Sequence, residues 1–126
     1  MGLPHAVQAP FRKRSCIVDA LEQFRVLHVD LSLTDFLVLL DVAENPGSTR
    51  SDLAVRLDLT PDTASRALRT LSSGDLPESD VPALGMLDIR VCALDHRTRM
   101  VWLAPAGREL VERMNAMVQA GCALKP

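Results

Sequence analysis

RSDLAVRLDLTPDTASRALRTLSS, residues 50–73, reads as two short helices joined by a tight turn. Leu53, Ala54 and Leu57 recur at helical spacing, which gives the first helix one apolar stripe. The stripe stops at Asp58, Leu59 follows, and a new helix start is written at once. Thr60 is its N-cap, Pro61 takes the first helical position, and Asp62 sits at the positive helix end. Ala64, Leu68 and Leu71 give the second helix a buried face, and Ala54 is small where two crossing helices must approach closely. The pattern predicts a helix-turn-helix over 49–73. With the apolar positions removed, the second helix presents Pro61, Asp62, Thr63, Ser65, Arg66, Arg69 and Thr70. Short hydroxyls and arginines near a helix N-terminus are groups that reach base edges and phosphates in a DNA major groove. An ordinary helical hairpin with a solvated face shows the same set, so on this stretch alone both readings stand.

Upstream, LTDFLVLLDVAE (33–44) is apolar on most sides between Phe36 and Leu40, which predicts a helix deep in the core. Thr34 is its expected cap and Asn45-Pro46-Gly47 its stop, after which Ser48 or Thr49 caps the first helix of the pair. A further helix is expected from Ser15 to about Asp30, with Ile17, Leu21, Phe24, His28 and Leu31 on one stripe and Val18 beside it. His28 reads as packed rather than as a ligand, and Cys16 as a small apolar filler. Residues 1–11 hold two prolines and no periodicity and read as a flexible N-terminal arm. The run Arg12, Lys13, Arg14 reads as a solvated flank.

Downstream, SSGDLPESDVPAL (72–84) has two prolines, one glycine, three acids and no base, so 74–84 reads as an acidic inserted loop. Gly85–Cys92 alternates as a strand, Asp95–Thr98 is a polar tip, and Met100–Leu103 returns as a second strand. A hairpin over 85–104 directly after a helix-turn-helix is a wing, with Trp102 in its core. Pro105 opens the last helix, where Leu110, Met114, Met117 and Gly121 form a stripe flanked by Val111, Val118 and Cys122. That stripe is longer than a small wing covers. It is therefore expected to pair with the first helix between subunits, making 12–31 and 105–122 dimerisation helices. A monomer with the two helices packed on each other is the alternative. The expectation is one domain over 12–126, mainly α with a small β-hairpin wing: a winged helix-turn-helix.

The totals narrow the function classes. The chain has 126 residues, 14 basic and 16 acidic, for a net charge of −2, which counts mildly against nucleic acid. No run approaches the roughly 18 apolar residues of a membrane span, and no secretory signal is visible, so the expectation is a cytoplasmic protein with no membrane partner. Cys16, Cys92 and Cys122 are odd in number and lack metal-ligand spacing, which fits reduced thiols. No glycine-rich phosphate loop, metal spacing or nucleophile–base set is present, and His5, His28 and His96 fall in an arm, a helix stripe and a wing tip. No enzyme, metal or cofactor is expected.

In its ordered pieces the sequence resembles the MarR family of winged helix-turn-helix transcriptional regulators. The pieces are Leu33-Thr34, SDLAVRL at 51–57, Thr63-Ala64-Ser65-Arg66, Gly85-Met86-Leu87, Asp95-x-Arg97, and the segment Leu103 to Leu110 with Gly107 inside it. The resemblance implies a homodimer built on terminal helices, each recognition helix in a major groove and each wing near a minor groove. It makes Thr63, Ser65, Arg66 and Arg69 the major-groove candidates, Arg97 the wing contact and Arg99 a phosphate contact. Arg50 joins the DNA-binding set, and Asp95 orients the wing rather than touching DNA. It also implies a small-molecule effector. A peroxide-sensing branch of the family uses a cysteine near the first helix, which names Cys16 as a redox thiol, although those sensors orient the thiol with tyrosines and this chain has none.

Three departures accompany the resemblance. Ala104 stands where the family usually has Thr, which removes a side-chain cap worth about 1 kcal/mol. The insert adds Asp75, Glu78 and Asp80, and without them the balance from Arg50 to Arg99 turns from −1 to +2. Only one helix follows the wing. Two functions are carried forward. One is a dimeric, sequence-specific DNA-binding regulator of transcription reading a pseudo-palindromic site. The other is a winged-helix protein–protein interaction module with little or no DNA binding, which the acidic insert and net charge favour.

Overall fold

The computed structural model describes residues 15–27, 31–72 and 84–121. The arm, the basic run at 12–14, His28, the acidic stretch 73–83 and Cys122 lie outside these residues. The described elements follow the order α1 (Cys16–Arg25), α2 (Leu33–Glu44), β1 (Ser48–Thr49), α3 (Arg50–Leu57), α4 (Pro61–Leu71), β2 (Leu87–Val91), β3 (Arg99–Leu103) and α5 (Pro105–Ala120). The architecture is a winged helix-turn-helix, mainly α with one small antiparallel sheet. Among the described residues no helix is long and apolar enough to cross a membrane.

α2 is the element everything else packs on. Val38, Leu39 and Val42 have no exposed surface, and Leu53 of α3, Ala64 and Leu71 of α4, Leu87 and Val101 of the sheet and Leu110 of α5 close around them. Its cap differs from expectation: Ser32, not Thr34, caps α2. The Ser32 hydroxyl accepts from the Asp35 backbone N–H at 3.1 Å while the Asp35 carboxylate accepts from the Ser32 N–H at 3.0 Å. Thr34 lies inside the helix because this reciprocal pair starts it two residues earlier. Thr49 caps α3 through the same kind of pair with Asp52, whereas Ser48 belongs to a strand.

That strand is the second correction. The wing is a three-stranded sheet in the order β1-β3-β2, with Ser48 opposite Val101 and Thr49 opposite Met100, and β2–β3 registered Leu87–Leu103 to Val91–Arg99. A two-residue strand has too few positions to show an alternation, so nothing in the sequence announced it. Its effect is to tie the start of α3 to the wing.

α1 differs as well: it ends at Arg25 with Val26 as C-cap, short of Asp30, and of the expected stripe it buries Phe24 but leaves Ile17 and Leu21 outside, burying Cys16 and Ala20 in their stead. Small side chains let α1 approach α5 closely, with Cys16 against the backbone of Gly121, and Phe24 meets Phe36 edge-on at 4.9 Å between ring centroids. α1 and α5 thus pack on each other within one chain, where the sequence reading paired them between subunits. Ile17 at 42%, Leu21 at 41% and Val118 at 49% exposure are left on the outside.

α5 has no side-chain cap at Ala104, as the residue type requires. It begins instead by crossing the start of β2. The Ala104 N–H donates to the Met86 carbonyl at 2.9 Å, and Gly107 is buried with that same carbonyl in the space a Cβ would need. Gly107→Ala is expected to lower stability by about 1–3 kcal/mol, because the obstacle is backbone and cannot rotate away. Chemical denaturation of the variant beside Ala106→Gly, which alters an exposed position of the same turn, checks this.

Candidate nucleic-acid interface

The turn between α3 and α4 is closed by Asp58 in the left-handed region (φ 54°, ψ 51°), and the Leu59 N–H reaches back to the Ala54 carbonyl at 2.8 Å. Thr60 then caps α4: its hydroxyl accepts from the Thr63 N–H at 3.2 Å and donates to the Thr63 hydroxyl at 2.8 Å. Ala64, Ala67, Leu68 and Leu71 are buried and fix the roll of α4, so Arg66 and Arg69 are exposed and Thr63 and Ser65 half-buried. Thr63 is thereby engaged in the cap.

Between α4 and the wing lies a cleft of about 540 Å³. Arg50, Ser65, Arg69, Arg97 and Arg99 line it together with Thr49, Ser51 and Thr98, over an apolar floor of Leu68, Ile89 and Val101. Five of the seven residues proposed from sequence for DNA binding meet here, drawn from three separate elements. Thr63 and Arg66 are not among the lining residues. Arg50 is fixed by a hydrogen bond from Nη1 to the Ser65 hydroxyl at 2.9 Å, which links the two helices of the motif across the cleft wall. Among the described residues no carboxylate lines the cleft, and Arg69, Arg97 and Arg99 pair with none. Four guanidinium groups and four hydroxyls on one face suit a phosphate-rich partner. Thr49, Ser51 and Thr98 were not singled out from sequence; their signal was adjacency to Arg50, Arg97 and Arg99.

Asp95 holds the wing turn. One carboxylate oxygen accepts from the Arg97 backbone N–H at 3.0 Å, the other from the Thr98 hydroxyl at 2.8 Å. The Arg97 N–H first, and the Thr98 hydroxyl second, hold the Asp95 carboxyl below the usual carboxylate range. A depressed carboxyl contributes its ordering above its ordinary pKa of about 3.9 and loses it as pH falls through the lower folded value. The expected result is an Arg97 amide resonance that is unchanged from pH 8 to 5 and moves only in stronger acid, with the movement abolished in Asp95→Ala.

A second cluster lies behind the interface. Asp41, 6% exposed on α2, accepts from Arg56 Nε at 3.0 Å and from Nη2 at 2.8 Å, and Nη2 also donates to the Ser48 hydroxyl at 2.7 Å. Ser48 donates on to the Asn45 carbonyl at 2.7 Å. This chain ties α2, β1 and α3 into one unit, and sequence reasoning missed it. Cys16 is buried against α5, an environment that agrees with its filler role.

The described residues on either side of 73–83 are hydrogen-bonded to each other. The Gly85 N–H donates to Ser72 O at 3.2 Å and the Met86 N–H to Leu71 O at 2.7 Å. Both anchors sit at the C-terminal end of α4 beside the start of β2, with the whole of that strand between them and the wing turn.

Residues 31–76 match the family described as winged helix-turn-helix DNA-binding. The chain carries a winged helix-turn-helix domain. No curated protein matches it by sequence. Among solved structures, it is similar to a MarR family transcription regulator at 18% identity and a TM-score of 0.61, over 83% of this chain and 59% of that one. It is similar to AbfR, solved in its reduced form bound to DNA, at 20% identity and a TM-score of 0.59, over 83% and 65%. A variant of MepR from S. aureus bound to an oligodeoxyribonucleotide matches at 23% identity and a TM-score of 0.61, over 82% and 68%. This winged helix shares the fold of MarR-family regulators, and spans about three fifths to two thirds of the length of those chains.

Proposed function

We propose that the winged helix is a dimeric, sequence-specific DNA-binding regulator of transcription acting in the cytoplasm. The observation that carries this reading is the cleft itself: Arg50, Arg69, Arg97 and Arg99 converge on one concave face with no carboxylate among the described lining residues. α4 enters the major groove, with Arg66 and Arg69 outermost and Ser65 holding Arg50 toward the backbone. The wing lies along the minor groove with Arg97 at its tip and Asp95 as the brace of its turn. That AbfR and MepR were solved on DNA with the same fold supports the partner class.

The dimer is supported by the apolar surface that intrachain packing leaves over. Ile17, Val18 and Leu21 on α1 and Val118 on α5 are all at least 36% exposed, apolar surface of the kind that a second copy covers. Two recognition helices about 34–36 Å apart then select a pseudo-palindrome. Sedimentation of the intact chain is expected to give twice the chain mass. Leu21→Glu, on the exposed side of α1, is expected to give the monomer and to weaken binding to a full site far more than to a half-site. Unchanged mass in Leu21→Glu would place the dimer contact elsewhere.

A further inference from the structure

Leu94 at the wing tip is 97% exposed, the most exposed large hydrophobic side chain among the described residues. Single exposed leucines are ordinary on protein surfaces; this one is distinguished by how firmly it is presented. The Cys92 N–H donates to the Thr98 carbonyl at 2.7 Å, the Thr98 N–H donates to the Asp95 carbonyl at 3.0 Å, and both Asp95 carboxylate oxygens are engaged inside the turn. Leu94 is therefore held at a set offset from Arg97 and Arg99, which face the cleft. Val91, 52% exposed, leaves a second apolar side chain on the arm leading to it. An apolar tip with arginines at its base is ill suited to tracking phosphates alone.

Resting on the DNA-binding reading, the geometry points to Leu94 as an apolar wedge that enters the minor groove beside Arg97 and partly unstacks one base step there. Leucine is one of the side chains with which minor-groove proteins open and kink base steps. The negative potential of a narrow groove draws in the neighbouring guanidinium, and pyrimidine–purine steps yield most easily to the insertion. The braced turn orders the wedge before binding, which reduces the entropy lost on contact. The wing then contributes sequence preference through deformability, at positions where no base edge is hydrogen-bonded.

The test uses the intact chain and a duplex selected from a random pool, with 2-aminopurine placed in turn at each step of the flanks. Wild type is expected to raise the fluorescence several-fold at one pyrimidine–purine step. Leu94→Ala is expected to abolish that rise and to bind about 5- to 10-fold more weakly. Leu94→Lys, which adds a phosphate-seeking charge, is expected to bind at least as tightly as Leu94→Ala and still give no rise. Both variants alter a solvent-exposed position, so folding is not at stake. Tight binding with no fluorescence change, or the same change in wild type and Leu94→Ala, overturns the wedge and leaves the DNA reading intact. Failure of wild type to bind any duplex overturns both.

Discussion

Arg56→Ala is expected to lower the stability of the fold by about 3 kcal/mol. The guanidinium is the principal partner of Asp41, whose carboxylate is nearly sealed from water between α2 and α3. Removing it leaves a buried charge with only the Asn45 side-chain amide, at 3.4 Å, beside it. An uncompensated buried carboxylate costs more than the original pair contributed, because desolvation is no longer offset by attraction. Asp41→Ala is the milder change, about 1–2 kcal/mol, since the Arg56 side chain is 34% exposed and can turn to solvent. Replacing both by leucine is expected to recover much of the loss. Urea unfolding of the three variants checks the order, and a wild-type midpoint for Arg56→Ala would remove the account of the cluster.

The second large effect is on binding. Arg97→Ala is expected to weaken all duplexes about 10-fold and to reduce the slope of log affinity against log salt by about 1, as loss of one phosphate-side contact requires. Arg66→Ala is expected to act differently, relaxing preference at one base position by about 1–3 kcal/mol while leaving the salt slope nearly intact. The contrast follows from their places: Arg97 lines the cleft below the wing, whereas Arg66 lies on the exposed face of α4 outside it. Salt titrations of the two variants on the same duplex set separate these outcomes. Equal wild-type behaviour in both would discard the assignment of contacts.

The helix-turn-helix was readable because its signals are local. Thr60-Pro61-Asp62 starts α4 by cap, ring geometry and dipole, and Ala64, Leu68 and Leu71 set its roll, so the exposed arginines could be named in advance. The β2–β3 hairpin was equally visible through alternation, apart from its third strand. What failed to show was whatever depended on a distant partner. Arg56 looks in sequence like any solvated helix charge, and Asp41 gives only the hint of one acid inside LVLLDVA; their 15-residue separation hides the pairing. α1 offers two apolar sides, and nothing local says that the smaller side, Cys16 and Ala20, is the one pressed on α5. The convergence of Arg50 with the wing likewise depends on Ser48–Thr49 pairing with β3, which a two-residue strand cannot announce.

The central claim is sequence-specific binding by the arginine-lined cleft between α4 and the wing. It is tested most directly by selecting ligands for the purified chain from a pool of random duplexes at low and near-physiological salt. The account predicts an enriched pseudo-palindrome, with half-sites one helical turn or a multiple apart, retained at the higher salt. Absence of binding at either salt would contradict it and turn attention to the winged helix as a protein-interaction module, with the acidic stretch at 73–83 as the first segment to alter.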